Sequence, residues 1–183
     1  IVNSFLQGRG TPSLNYPLTN WDPAFVGMLP VPKYDPDKAR TLLADAGYAK
    51  GFDVTINAPP SSYSALLLNI GEFLTNSFGG IGLRPSLKIA DRGRYLTAMM
   101  GERNYTDILL GYGPAADTVD TEIYDPFHSK SQARNRAYIN DPVADGLIER
   151  SWATTDPQKY KEIVRQHQMQ AAEQMYMIYL PHG

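Results

Sequence analysis

Apolar residues recur along this chain with two periods that take turns. Phe52-Asp53-Val54-Thr55-Ile56-Asn57 alternates apolar and polar residues between Gly51 and Pro59-Pro60, which predicts a half-buried strand ending in a polar loop. From Tyr63 to Phe78 the residues Leu66, Leu67, Ile70, Phe73, Leu74 and Phe78 fall at helical spacing, and Gly79-Gly80 stops the helix. Pro85-Ser86-Leu87-Lys88-Ile89-Ala90 reads as a second strand. Asp91 then caps a helix through Tyr95, Leu96, Met99 and Met100, and Thr106-Asp107-Ile108-Leu109-Leu110 is a third strand entering the turn Gly111-Tyr112-Gly113-Pro114. Strand, helix, strand, helix, strand is the order that yields an α/β fold, with a largely parallel sheet carrying helices on its faces.

Start and stop signals frame the remaining helices. Asp35-Pro36-Asp37-Lys38 places an acid at the cap, proline at the first helical position and a second acid in the first turn; Ala39, Leu42, Leu43 and Ala46 supply an apolar face, and Gly47 sits where a left-handed cap belongs. Asp141-Pro142 and Asp156-Pro157 repeat the acid-proline start. The second of these helices carries Tyr160, Ile163, Val164, Met169, Ala172 and Met175 and leads to Met177-Ile178-Tyr179-Leu180, read as a final strand. Residues 117–127 read as a short helix and residues 135–140 as a loop. Prolines 12, 17, 23, 30 and 32 forbid a long helix or central strand over residues 9–34. Trp21, Phe25, Val26 and Met28 are too apolar for a free linker there, so the stretch is expected to be a connector packed against a single domain spanning residues 1–183.

Composition narrows the function classes. With 183 residues, 43% hydrophobic and 20% charged, the chain has the make-up of a folded globular domain. A formal charge of −2 supplies no general attraction to a phosphate backbone, which argues against a nucleic-acid partner. The absence of cysteine excludes disulfides, thiolate zinc sites and cysteine nucleophiles, and it leaves export permitted. The opening Ile1-Val2-Asn3-Ser4-Phe5-Leu6 has neither a charged leader region nor an initiating Met, and its apolar spacing reads as the last turns of a helix, so the chain is expected to be a piece of a longer protein.

Catalytic motifs do not appear. There is no Gly-x-Ser-x-Gly elbow, no Gly-x-x-x-x-Gly-Lys loop, no His-Glu-x-x-His and no Gly-x-Gly-x-x-Gly after a strand. His128, His167 and His182 show no paired ligand spacing, so neither a metal nor another cofactor is expected. Arg92 and Arg94 read as the solvated face of an amphipathic helix, and Met99, Met100, Met169, Met175 and Met177 as core packing.

These pieces, in this order, resemble the bacterial extracellular solute-binding protein family 5, the peptide, nickel and related ligand receptors of ABC importers. The resemblance is carried by Tyr34-Asp35-Pro36-Asp37-Lys38-Ala39 with Leu42-Leu43-Ala44-Asp45-Ala46-Gly47-Tyr48, by Gly51-Phe52-Asp53-Val54-Thr55, and by Asp107-Ile108-Leu109-Leu110-Gly111-Tyr112-Gly113. Further along, Pro126-Phe127-His128-Ser129, Tyr138-Ile139-Asn140-Asp141-Pro142, Ala153-Thr154-Thr155-Asp156-Pro157 and Tyr179-Leu180-Pro181-His182 keep the same order and spacing.

The resemblance implies the second lobe of a two-lobed periplasmic-binding-protein-like receptor of class II, with a mixed, mostly parallel sheet of about five strands. It implies a small polar solute held against the missing first lobe, delivery to the importer's membrane subunits, and a periplasmic or extracellular location, with lipid anchoring an option. The wall of the cleft is expected in the loops after the strands, at Pro60, Ser61, Ser62 and Tyr63 and at Tyr112, Gly113, Pro114, Ala115, Ala116 and Asp117.

Two departures bear on the ligand. Ala115 stands where peptide-binding members carry an Asp for the ligand's ammonium group, and the loop 59–63 lacks the arginine that some relatives use for a carboxylate. Both point to a neutral polar ligand, a sugar or modified compound, in place of a free peptide. Asp117 and Asp120 are read first as helix-capping acids. Two rival readings remain: a regulatory module reusing the same lobe, and a hydrolase with an unrecognised site, for which Asp117 and Asp120 are the least implausible acids.

Overall fold

The computed structural model describes residues 33–111, 119–131, 135 and 137–180. The helix expected over Ile1–Leu6, the connector up to Pro32 and the turn residues 112–118 lie outside these. The described residues divide by their contacts into two compact units, residues 33–111 and residues 119–180.

The first unit opens with α1, Pro36–Asp45. Asp35 Oδ1 accepts the Lys38 N–H at 2.9 Å, satisfying one of the free donors of the first turn. At the other end Gly47 takes φ +88°, the Tyr48 N–H reaches the Leu43 carbonyl at 2.7 Å, and the Gly47 N–H reaches that of Ala44 at 2.9 Å. This is the paired closure that a left-handed glycine makes possible. The apolar face expected on α1 is only half covered, because Leu42 stays 58% exposed while Ala39 and Leu43 are partly buried.

Strand β1, Asp53–Ala58, lies between β2, Arg84–Ile89, and β3, Ile108–Leu109, and both pairings are parallel. The register sets Ile56 against Leu87 and Ile108, and Ala58 against Ile89. Helix α2, Ser61–Gly80, packs on β1 and β2 through buried Leu67 and Ile70, and at Gly71 its backbone lies against Leu87, Leu110 and Ala58. The turn α3, Arg92–Arg94, continues into a π-helix, Tyr95–Gly101, where the sequence predicts one regular helix. Tyr95 and Met99 from it form a second cluster with Ala90, against which Tyr63, Tyr105 and Leu109 pack. Strand β3 is shorter than predicted. Asp107 sits at φ +60°, outside the extended region, so the ladder begins only at Ile108.

The second unit is helical: α4, Val119–Phe127, α5, Pro142–Ala153, and α6, Pro157–Gln174. Asp141 Oδ1 caps α5 through the Val143 N–H at 2.8 Å, and Asp156 Oδ1 caps α6 through the N–H groups of Gln158 and Lys159. Its core holds Ile123, Phe127, Ile139, Ile148, Val164 and Ala171. The final strand predicted at residues 177–180 does not form; Met177 and Tyr179 pack on this helical core instead, so the apolar pattern serves helices rather than a sheet. Met169 and Met175 depart from the core reading as well. They are 51% and 42% exposed, because the buried stripe of α6 runs through Val164, His167, Gln168 and Ala171.

Candidate ligand-binding site

The site is built where parallel strands end. Because Asn57 pairs with Leu109 and Ala58 with Ile89, all three strands deliver their carboxyl ends to one edge of the sheet. Pro59-Pro60 follows β1 there, Asp91 follows β2 and Gly111 follows β3. The register therefore brings the loop after β1 and the approach to the glycine turn together, as the sequence predicts. Tyr112, Gly113, Pro114, Ala115, Ala116 and Asp117 lie outside the described residues, as does any capping role of Asp117.

Ser61, Ser62 and Tyr63 are not loop residues. They form a first helical turn after Pro60, whose carbonyl accepts the Tyr63 and Ser64 N–H groups at 2.9 and 3.1 Å. Ser64 then breaks the helix at φ −159° and ψ 103°, and its Oγ accepts the Leu67 N–H at 3.2 Å, so it caps the longer part of α2 from inside. The hydroxyl-bearing Ser61 and Ser62 are exposed, Pro60 and Tyr63 are half-buried, and Ser64 is buried. The sequence signal for this inner cap is a serine three residues before Leu67, obscured by the serine run ahead of it.

Three polar groups hold β3 in place. Asn57, buried within β1, donates from Nδ2 to the carbonyls of Thr106 and Ile108 at 2.7 and 2.9 Å. Asp107 Oδ2 accepts the Thr55 N–H at 2.6 Å. Fully buried Tyr95 donates its hydroxyl to the Leu110 carbonyl at 2.8 Å, fixing the residue before Gly111. A short strand is thus positioned by side chains where ladder bonds are few. Sequence reading placed Tyr95 only as one more apolar helical position, since nothing local marks its long-range partner.

Aromatic side chains also meet at this edge. The rings of Tyr63 and Tyr95 lie 5.1 Å apart, and the Arg92 guanidinium sits 6.0 Å from the centre of the Tyr63 ring. Arg92 is exposed there, as a solvated helix face requires.

His128 is buried in the second unit, accepts the Lys130 N–H at Nδ1 at 3.1 Å and stacks on Trp152. Among the described residues no group of three or more His, Asp or Glu side chains is placed to hold a metal ion.

The described sheet is parallel and flanked by helices, and the comparisons with known proteins give the family. Residues 1–135 match the model for the bacterial extracellular solute-binding proteins, family 5 middle region, and the chain belongs to that family. It is 26% identical to di/tripeptide-binding protein 1 of Pseudomonas aeruginosa over all of this chain and 34% of that protein. It is 24% identical to the dipeptide-binding protein of Escherichia coli, again over its whole length and 35% of the relative. Among solved structures, the dipeptide-binding protein of a Pseudoalteromonas species in complex with Met-Leu superposes with a TM-score of 0.84 at 25% identity, over 100% of this chain and 36% of that one. The chain thus spans about a third of the length of the relatives it matches.

Proposed function

We propose that this chain is the ligand-binding lobe of an exported solute receptor that hands a small solute to an ABC importer. The single observation that carries the reading is the parallel register, which gathers the ends of β1 and β3 into one wall. Pro60, Ser61, Ser62 and Tyr63 lie at that edge; Tyr112, Gly113, Pro114, Ala115, Ala116 and Asp117, outside the described residues, are proposed as further ligand contacts on the sequence resemblance. A second lobe, supplied by the rest of the longer protein, closes over it. Ligand bridging both walls shifts the population from open to closed, and the importer's membrane subunits read the closed form.

The relatives' names support a binding protein over an enzyme, and they support a peptide or a compound of similar size and polarity as ligand. Residues 1–183 make up one lobe in this reading, with residues 9–34 packed along it, and it works in the periplasm or outside the cell. The rival regulatory module is separated from the receptor by what precedes the lobe: a leader with a lipid-attachment cysteine for the receptor, a DNA-binding helix-turn-helix for the regulator.

The test starts from mass spectrometry of small molecules that purify with the full-length receptor. The recovered compound is then titrated against the full-length protein and against this chain. Tight binding by the first and at most weak binding by the second is expected; equal affinities refute a cleft shared between lobes.

A further inference from the structure

We propose that Asn104 is a modification site, an asparagine to which an oligosaccharide is attached once the protein has left the cytoplasm. The inference rests on the exported-receptor reading, because the acceptor meets its transferase outside the cytoplasm. Of the asparagines in the chain, only Asn104 is followed two residues on by serine or threonine, in Asn104-Tyr105-Thr106, and the residue between them is not proline. This is the spacing that an asparagine-linked transfer needs. Glu102 stands exposed two residues ahead, adding a carboxylate that a cation of the transferase can hold.

A triplet in the sequence becomes an acceptor only where the fold presents it. Arg103 takes φ +57°, and the Tyr105 N–H reaches the Arg103 carbonyl at 3.1 Å, closing a three-residue turn with Asn104 at its tip. Asn104 and Thr106 are exposed, while Tyr105 between them is half-buried and packs on the cluster of Ala90, Tyr95 and Met99. The amide and the hydroxyl that a transferase must reach together are thus both at the surface, with the intervening ring as their anchor. The turn is also held at both ends: the Asn104 N–H donates to the Ala98 carbonyl at 2.7 Å, and the Thr106 carbonyl accepts Asn57 Nδ2 at 2.7 Å. Among the described residues no group hydrogen-bonds the side-chain amide of Asn104.

The step is a group transfer. Nδ2 of Asn104 bonds to the anomeric carbon of an oligosaccharide carried on a lipid diphosphate, and the carbon–oxygen bond to the diphosphate breaks. The diphosphate leaves with the bonding pair, and the amide proton passes to a base of the transferase. The product is a bulky, hydrated group on the loop that enters β3 at its amino end, whereas Pro59-Pro60 and Asp91 follow the carboxyl ends of β1 and β2. Sugar and ligand wall therefore sit at opposite edges of the parallel sheet, so the modification leaves the wall open to solute.

The experiment recovers the full-length receptor from fractionated cells of its own source, as wild type, N104Q, T106A and T106S, and reads peptides spanning Asn104 by mass spectrometry. Wild type is expected to carry a mass gain of whole sugar residues on Asn104. T106S, which keeps the hydroxyl, is expected to retain that gain, and N104Q and T106A to lose it. Unmodified Asn104 in receptor recovered outside the cytoplasm overturns this inference and leaves the receptor reading standing. A gain that persists in N104Q puts the sugar on another residue and overturns it equally. Recovery of the receptor from the cytoplasm alone overturns the inference together with the exported-receptor reading.

Discussion

At the scale of single residues, backbone conformation and buried polar partners decide what this fold tolerates. Gly51 has φ +66°, and a Cβ built there would lie 1.9 Å from the Gly82 carbonyl oxygen, whereas one built on Gly47, at φ +88°, meets nothing within 4 Å. Gly47→Ala should therefore cost only the left-handed strain, about 1 kcal/mol. Gly51→Ala adds a backbone collision and should cost about 3 kcal/mol or more, in the range reserved for severe lesions. Urea unfolding of the two variants separates the cases, and equal losses would show that the Gly51–Gly82 approach relaxes freely. Asp141 works by another route: the Tyr176 hydroxyl, then Gln170 and the backbone of α5, hold its carboxyl below the usual range, while burial, ahead of that hydrogen bond, pushes Tyr176 up to about 12.

Among elements, two devices stand out, caps that start helices and a buried hydroxyl that ends a strand. Asp156 accepts two N–H groups at the start of α6, so Asp156→Ala should lose about 1 kcal/mol, read as a shifted denaturation midpoint with unchanged slope. Tyr95→Phe keeps the ring and deletes the bond to the Leu110 carbonyl, leaving a buried acceptor unpaired. A loss of about 1–2 kcal/mol is expected from the missing bond. Y95F should also weaken ligand binding by the full-length receptor, measured by titrating the compound that purifies with it.

Across the molecule, acid is the expected weakness. His167 is buried in the helical unit beside Phe127, and desolvation lowers its pKa from 6.5 to about 4, only partly opposed by Asp141. The unfolded chain takes up this proton near pH 6.5 and the folded chain does not until near pH 4. The contribution is thus fully present above pH 6.5 and fades as pH falls through that window, by about 3 kcal/mol in total. Asp141, held below its ordinary pKa, adds a loss in the same direction at lower pH. Stability measured from pH 7 to pH 4 should drop less in His167→Gln than in wild type; parallel curves would rule His167 out as the source.

Local chemistry was enough for much of this fold. The caps at Asp35, Asp91, Asp141 and Asp156, the left-handed Gly47 and the alternation of β1 all rest on contacts within a few residues, so the sequence determines them alone. Partners distant in the chain could not be read that way. The bond from Tyr95 to Leu110, the grip of Asn57 on Thr106 and Ile108, the packing of Met177 and Tyr179 on helices and the seat of Arg92 over Tyr63 exist only once the sheet is assembled. The candidate site divides in the same way: residue types and strand ends mark where a wall should lie. Which side chains meet on it is decided by parallel register, a property of three strands together that no one segment encodes.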